Sequence, residues 1–405
     1  MTSEQSVRPR VVLGVCGGIA AYKACELVRQ FTESGHDVRV IPTESATRFV
    51  GEATWAALSG NPVTSDVWTD AHHVPHVAIG RQADLVVVAP ATADLLARMV
   101  IGRADDLLAA TLLTVTCPVV VAPAMHTEMW EHAATRANVA TLRERGIVVL
   151  DPAVGRLTGA DSGIGRLPEP AEIFAVARLV LERGTVPLDL AGRHVVISAG
   201  GTREPIDPVR FLGNRSSGRQ GYALARAALA RGAEVTVVAA NTALPDPAGA
   251  KLVRVGTAEE LRLAVLDAAT SADAVVMAAA VADFRPVTKA TSKLKKTAAD
   301  PEPLALARNP DILAELSAHR GRAGQVVVGF AAETDDALAN GALKLAAKGC
   351  DLIVVNEVGE HRTFDAEENS AVILAADGSS TVVPVGSKEA LGHAVWDLVV
   401  ARLPQ

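Results

Sequence analysis

Two stretches of this chain open alike, with a buried strand, a glycine-bearing turn, a helix and a second strand. In the first, Arg10–Cys16 (RVVLGVC) is a β-branched run of strand length. Gly17-Gly18 follows, and Ile19–Thr32 carries apolar residues at helical spacing (Ala20, Ala24, Leu27, Val28, Phe31). Gly35 stops that helix, where a positive φ suits glycine, and Asp37–Ile41 (DVRVI) reads as the next strand. In the second, Arg193–Ala199 (RHVVISA) is the strand, Ser217–Ala230 the helix, Gly232 its stop and Glu234–Ala239 the following strand. A strand–helix–strand unit this short brings its strands side by side in parallel. Buried runs at Ala83–Ala89, Cys117–Ala122 and Ile147–Leu150 extend the first set, and Ala272–Ala279, Gln325–Gly329 and Asp351–Val355 the second. The pattern predicts α/β architecture with two sequential doubly wound domains, 1–189 and 190–405, joined through Arg183–Leu190 (RGTVPLDL). The likeness of the two openings is architectural and not a sequence repeat.

Composition narrows the function classes. At 405 residues, each half is long enough to bury a core without disulfides or structural metals. The four cysteines (Cys16, Cys25, Cys117, Cys350) form no CxxC pair, which excludes a zinc ribbon or disulfide framework and fits a reducing, cytoplasmic setting. A net charge of −7 offers nucleic acid no electrostatic footprint. No apolar run approaches the roughly 20 residues of a membrane helix. Met1–Arg10 is polar, unlike a signal peptide.

Open parallel sheets take ligands beyond the carboxyl ends of their strands. Thr43, Glu44 and Ser45 follow the second strand, Pro90–Asp94 (PATAD) the third and Pro123–His126 (PAMH) the fourth. Together with Gly17–Ala20 they predict one ligand-binding rim, ordinary turns being the alternative. Gly17-Gly18 exposes backbone N–H groups at a helix start, suited to phosphate or simply to tight packing. The GxGxxG dinucleotide spacing is absent. His76, in HHVPHVAI, has a side chain whose ordinary pKa of about 6.5 suits proton abstraction, with a surface or capping role as the alternative. His72 and His73, close to His76, make a weak metal site.

In the second half, Ala199–Gly218 (AGGTREPIDPVRFLGNRSSG) offers backbone donors at Gly200-Gly201-Thr202 and again at Ser216-Ser217-Gly218. The latter set introduces a helix, so it predicts anion binding, against a conventional N-cap. It is not a Walker loop, since GxxxxGK[ST] is missing. Asp283 follows a strand within AAAVADFRP. Ala290–Pro303 (ATSKLKKTAADPEP), with Lys293, Lys295 and Lys296, reads as an exposed, mobile loop. Such lysines are either solvated or able to close over a triphosphate.

The segments GVCGGIAAYKACELVR, PHVAI, APATADLLARMVIGRADDLL, APAMHTEMW and DSGIGRLPEP resemble, in order, the flavoprotein domain of phosphopantothenoylcysteine decarboxylases. The resemblance implies a flavodoxin-like, trimer-forming fold that binds FMN. Gly17, Gly18, Ile19, Ala20, Thr43, Ser45, Pro90, Ala91, Thr92 and Met125 would surround the flavin. His76 would take the proton during oxidation, and His126 and Asp161 would meet the substrate. The cysteine carboxylate cannot leave without an electron sink; oxidising the thiol carbon to a thioaldehyde creates one, and reduced flavin then saturates the enethiolate left by CO₂. Two positions depart from the family. PAMH carries His126 where the family has asparagine, and Gly159 falls where the family has a cysteine acid. Thr158, Asp161 or water is then the proton donor, or this half is impaired.

Similarly, AGGTREPIDPVRFLGNRSSGRQG, AAAVADFRP, SKLKK, NPDIL and GFAAET resemble phosphopantothenate–cysteine ligases. This implies a Rossmann-like domain that activates 4′-phosphopantothenate with CTP, releasing pyrophosphate, before the amine of cysteine displaces CMP. Asn214 would polarise the acyl-cytidylate, and Lys293 would neutralise charge on the transferring phosphate. Met277, Ala278, Ala279, Asp283, Pro310, Asp311, Ile312, Leu313, Phe330, Lys344 and Lys348 match CTP-contacting positions. Gly201, Thr202, Arg210, Ser216 and Ser217 match the ligase-substrate side. Mg²⁺ would accompany the CTP phosphates, with protein ligands that the sequence leaves unknown.

The whole chain thus resembles the bifunctional coenzyme A biosynthesis family. That implies ligation, then decarboxylation of phosphopantothenoylcysteine to 4′-phosphopantetheine, by a homo-oligomer of decarboxylase trimers and ligase dimers that multiply to a dodecamer. The alternatives are an active ligase with a flavin-binding but weak decarboxylase domain and, more remotely, a regulatory flavoprotein.

Overall fold

The computed structural model describes residues 8–65, 74–157, 161–184, 188–295, 303–333, 336–357 and 368–404. The chain divides into two compact units, Met1–Pro187 and Leu188–Gln405.

The first unit begins with β1 (Arg10–Val15), α1 (Ala24–Glu33), β2 (Asp37–Pro42), α2 (Glu52–Ser59), α3 (Pro75–Gln82) and β3 (Leu85–Ala91). It continues with α4 (Ala93–Ile101), α5 (Leu107–Leu112), β4 (Val119–Pro123), α6 (Thr127–Glu131), α7 (Ala133–Glu144) and β5 (Val148–Val149). The hairpin β6 (Ala153–Arg156) and β7 (Ser162–Arg166) and then α8 (Pro170–Arg183) complete it. The sheet order is β2-β1-β3-β4-β5, all parallel, which is the flavodoxin-like winding. Every residue of β3 is buried, because helices cover both faces of a parallel sheet. On one face Leu27, Val28 and Phe31 of α1 pack with Ile173, Val176 and Val180 of α8; on the other, Leu95, Leu96, Leu107 and Leu108 form a second core. Each such side chain contributes about 1.5–3 kcal/mol by leaving water.

The second unit opens with β8 (His194–Gly200), β9 (Arg203–Pro205), β10 (Phe211–Gly213), α9 (Arg219–Ala230), β11 (Glu234–Ala240) and β12 (Lys251–Val255). Next come α10 (Ala258–Ala269), β13 (Ala274–Met277), β14 (Phe284–Pro286), β15 (Leu306–Arg308), α11 (Ile312–Ala318) and β16 (Val326–Glu333). The last elements are α12 (Ala337–Lys348), β17 (Leu352–Glu357), β18 (Glu368–Ala375), β19 (Ser380–Ser387) and α13 (Lys388–Val400). The sheet runs β12-β11-β8-β13-β16-β17-β18-β19. Its first six strands are parallel in the order of the dinucleotide-binding fold, and β18 and β19 add an antiparallel edge. Helices α9 and α13 bury Leu224, Trp396 and Val395 against one face, while α10 and α11 bury Leu261, Val265 and Leu316 against the other.

Three local departures from the sequence pattern have physical causes. The helix predicted from Ile19 starts as a 3₁₀ turn, Ile19–Lys23, because the chain leaves Gly18 fully extended (φ 179°, ψ 162°) and the first bond closes from Ala21 N–H to the Gly18 carbonyl. The helix predicted from Ser217 begins at Arg219, after Gly218 at φ 80°. The antiparallel edge was absent from the strand prediction, since β19 leaves most of its residues exposed and shows no buried run.

Gly200 holds the end of β8 at φ +84°, and a Cβ there would lie 2.0 Å from the Ala240 carbonyl oxygen. Strain and overlap act together, so Gly200→Ala is expected to destabilise the second unit by at least about 2 kcal/mol. The measurement is urea denaturation; a midpoint equal to the wild type's would contradict this backbone geometry.

Candidate functional site

In the first unit, β1 has β2 on one side and β3 on the other, so the carboxyl end of β1 is a topological switch point. The loops leaving four strands meet there through backbone bonds. Thr43 N–H donates to the Val15 carbonyl (2.9 Å), Cys16 N–H to the Pro90 carbonyl (3.0 Å) and Ala124 N–H to the Ala91 carbonyl (3.0 Å). Gly17 must be glycine for this closeness, since a Cβ would sit 2.4 Å from Ser45 Oγ. The hydroxyls of Thr43 and Ser45 lie 3.1 Å apart. Thr92 caps α4, its Oγ1 accepting from Leu95 N–H at 3.3 Å. Gly17–Ala20, Thr43, Ser45, Pro90–Thr92 and Met125 therefore gather on one rim.

The β6–β7 hairpin is laid against that rim. Met125 N–H donates to the Gly165 carbonyl (2.9 Å), and Thr127 Oγ1 to the Ile164 carbonyl (2.7 Å). Gly165, at φ +146°, admits the contact, where a Cβ would come within 2.1 Å of the Met125 carbonyl oxygen. His126, exposed at the start of α6, and exposed Asp161, just before β7, flank the hairpin. Thr158 and Gly159, like His72 and His73, lie outside the described residues. His76 is in the first turn of α3. Its carbonyl accepts the Thr114 hydroxyl (2.9 Å), while its ring Nδ1 is buried without a hydrogen-bond partner.

Beneath the rim, burial pushes the Cys16 thiol up to about 11, opposed by contact with Thr92. A thiol whose folded pKa exceeds its ordinary 9.0 stabilises the fold fully below that pH and loses the contribution as pH rises toward 11. Iodoacetamide at pH 8 is accordingly expected to modify half-buried Cys25 and Cys117 well before Cys16. Peptide mapping that finds Cys16 alkylated first would refute the assigned burial.

In the second unit, the switch point falls between β8 and β13. Ala280 N–H donates to the Gly200 carbonyl (2.8 Å), Thr202 N–H to the Ala280 carbonyl (3.1 Å) and Ala282 N–H to Thr202 Oγ1 (2.9 Å). Gly201 and fully buried Thr202 thus tie the two strand ends together. Beside them opens a cleft of about 600 Å³, lined by Asn214–Gly221, Ala278–Val281, Asp283, Phe330, Lys344, Asn356, Asn369 and Lys388 among others. Asn214 donates one amide hydrogen to the Val281 carbonyl (3.1 Å), which fixes the side chain and leaves the second hydrogen for a ligand. Helix α9 has no side-chain cap and no acid in its first turn, so the conventional N-cap alternative does not hold.

The sequence-predicted residues separate into two groups here. Asn214, Ser216, Ser217, Ala278, Ala279, Asp283, Phe330 and Lys344 line the cleft, with Met277 at the adjoining end of β13. Pro310, Asp311, Ile312, Leu313 and Lys348 do not. Ile312 is buried in the core, Asp311 caps α11 through Ala314 N–H (3.1 Å), and Lys348 is ion-paired with Asp311. Arg210 binds buried Asp207 with Nη2 at 2.5 Å, and that bond holds the Asp207 carboxyl far below the ordinary carboxylate range. Asp207 also accepts Leu294 N–H (3.1 Å), and Arg210 donates to the Leu294 carbonyl (2.8 Å). Of that loop, the described residues Lys293–Lys295 are exposed, and their backbone is anchored at Leu294, beside Lys293. Lys296 lies outside the described residues.

Sequence patterning missed Gln220, Asn356, Asn369 and Lys388. Asn356 could have been found as the polar residue ending the DLIVV strand. Lys388 carried no signal, because the edge strands before it were not predicted.

Among the described residues no cluster of three or more His, Cys, Asp or Glu suits a metal ion, and no helix is long and apolar enough to cross a membrane. Two doubly wound sheets, one in each unit, make this an α/β protein with a candidate ligand rim at the switch point of each sheet. A family model described as Flavoprotein matches residues 1–180, and one described as DNA/pantothenate metabolism flavoprotein C-terminal domain matches residues 190–403. The coenzyme A biosynthesis bifunctional protein CoaBC of Mycolicibacterium smegmatis is 60% identical, over 98% of this chain and 99% of that one. The protein of the same name from Mycobacterium tuberculosis is 58% identical over 100% and 99%, and that from Vibrio parahaemolyticus 41% over 96% and 97%. The chain belongs to the coenzyme A biosynthesis bifunctional protein family.

Proposed function

We propose that residues 190–405 join 4′-phosphopantothenate to cysteine at the expense of CTP, and that residues 1–189 decarboxylate the product to 4′-phosphopantetheine with FMN. The observation that carries this reading is that both family halves lie in one chain and the rim of each is built.

In the ligase half, the carboxylate of phosphopantothenate attacks the α-phosphorus of CTP and pyrophosphate leaves with the electrons of the broken P–O bond. The acyl-cytidylate so formed is opened by the amine of cysteine, which expels CMP. The free amide hydrogen of Asn214 polarises the acyl carbonyl, and Lys293 offsets charge on the transferring phosphate. Asp207 and Arg210 act through the Leu294 backbone, holding Lys293's neighbour in place and so positioning the loop. Gly201 and Thr202 serve by joining strand ends rather than by contact. Mg²⁺ enters with the triphosphate, whose oxygens supply the anionic ligands.

In the decarboxylase half, Gly17–Ala20 with the hydroxyls of Thr43, Ser45 and Thr92 would hold FMN, and Pro90, Ala91 and Met125 would line its apolar side. The fit rests on the crowding at Gly17 and on hydroxyls that share one rim. Bound FMN supplies a reversible two-electron oxidation, which gives the departing carboxylate its electron sink. His76 takes the substrate proton: a buried imidazole nitrogen without a partner is costly until a ligand completes its hydrogen bond. His126 donates to the substrate carboxylate, with Asp161 near the hairpin. A homo-oligomer completes the reading, supported on the ligase side by half-exposed Phe211, Phe284 and Leu306 on neighbouring hairpins.

Purified protein given 4′-phosphopantothenate, cysteine, CTP and Mg²⁺ is expected to release pyrophosphate and CO₂, followed separately. Pyrophosphate without CO₂ would restrict the activity to the ligase, and neither product would overturn the reading. Lys293→Ala should lower ligation at least about 100-fold, the order of a lost charge-stabilising group. It should spare decarboxylation of supplied phosphopantothenoylcysteine. His76→Asn should do the reverse; undiminished CO₂ release would remove His76 from the mechanism.

A further inference from the structure

Asn241 follows β11 at φ +49°, in the left-handed region. Asparagine tolerates that conformation better than most residues, because its short polar side chain can bond locally. Here the side chain bonds across the fold instead. Its Nδ2 donates to the Gly201 carbonyl (2.9 Å) and to the Gly256 carbonyl (2.8 Å), so both amide hydrogens are used. Gly256 lies in the turn between β12 and α10, and its carbonyl also accepts Arg203 N–H (2.9 Å). One side chain thereby joins the turns that follow β8, β11 and β12.

The bond to Gly201 completes a set. Main-chain groups meet the Gly200 carbonyl (Ala280 N–H, 2.8 Å), Gly201 N–H (Ala240 carbonyl, 3.0 Å) and Thr202 N–H (Ala280 carbonyl, 3.1 Å). The remaining polar atom of these two peptide groups, the Gly201 carbonyl, is met by the Asn241 side chain. A peptide beside glycine turns readily once its carbonyl is unheld. Gly201 in turn sits against Asn214, since a Cβ on it would lie 2.9 Å from the Asn214 carbonyl oxygen. The next residue, Thr242, supports the same region. Its methyl carbon lies 2.7 Å from where a Cβ on Gly200 or on Gly218 would be, and its hydroxyl is 2.8 Å from that of Tyr222 in α9. Asn241, Thr242 and Gly256 do not line the cleft, so they support its turns from behind.

We propose that Asn241 is a positioning residue of the ligase half. Its amide holds the peptide between Gly201 and Thr202, and so sets where Asn214 presents its free amide hydrogen to the acyl carbonyl. This role rests on the ligase reading and deepens it. The step it serves is the attack of the cysteine amine on the acyl carbon. A C–N bond forms, the C–O bond to the phosphate breaks, CMP leaves with that electron pair and the amine gives its proton to solvent. A small displacement of the donor from the acyl oxygen slows this step. Formation of the acyl-cytidylate, which does not use that hydrogen, keeps its rate.

The test separates the two partial reactions in the full-length protein with Mg²⁺, CTP and 4′-phosphopantothenate. The pyrophosphate burst is measured before cysteine is added, and the rate of CMP release afterwards. Asn241→Gly keeps the left-handed backbone without strain and removes both side-chain bonds. It should slow cysteine-dependent CMP release at least about tenfold. The pyrophosphate burst and the KM for CTP should stay within twofold of the wild type, and CO₂ release from supplied phosphopantothenoylcysteine should be unchanged. Asn241→Asp, which keeps the shape but turns an oxygen toward two carbonyl oxygens, has the same expected outcome and serves where Asn241→Gly does not fold. Unchanged CMP release would overturn the proposal, as would an equal loss of burst and CMP release, the mark of a merely structural role. Wild type that releases no pyrophosphate would overturn the ligase reading itself.

Discussion

The hydrogen bond from Ala280 N–H to the Gly200 carbonyl, at 2.8 Å, and the bond from Gly201 N–H to the Ala240 carbonyl, at 3.0 Å, join three strand ends at one point. The turn leaving the first strand of a doubly wound sheet must satisfy a neighbour on each side, so it is held more tightly than an ordinary loop. The first unit meets the same requirement with Cys16 N–H to Pro90 and Thr43 N–H to Val15. Both solutions leave no room for a side chain, at Gly200 because of Ala240 and at Gly17 because of Ser45. Everything proposed about either site depends on these glycines, since they bring separate loops within reach of one ligand.

Much of this was legible from the strand pattern. Buried β-branched runs locate parallel strands because both faces of the sheet are covered, and ligand rims follow from strand direction alone. Thr43, Ser45, Pro90, Met125 and Asp283 lie at strand ends that were accessible in that way, whereas Asn214 was named through the family resemblance. What strand ends cannot convey is which polar residues neutralise one another. Lys348 and Arg210 look in sequence like free cations, and each is matched to an aspartate by a contact that depends on tertiary folding. Lys388 shows the opposite difficulty. It follows an exposed edge strand and resembles a solvated helix start, whereas the packing of α13 on α9 buries it.

Charge in the ligase half runs against the chain as a whole. A net charge of −7 makes the protein acidic, while the described cleft residues carry four cations and one carboxylate. At about 0.15 M salt the Debye length is near 8 Å, so distant acids are screened and the cleft's own cations dominate what a triphosphate meets there.

The two rims, each at the switch point of its own doubly wound sheet, are proposed for opposite chemical tasks. The flavin rim is built from hydroxyls, backbone and apolar residues, which suits a resident cofactor that must gain and return electrons without unbinding. The ligase rim is built from cations and amides, which suits a substrate that must be held in its charged state and released as two anions. Chain order and reaction order then run in opposite directions: the flavin unit comes first in sequence and acts second. Chemistry imposes the reaction order, because the carboxylate to be lost belongs to the cysteine that the ligase attaches.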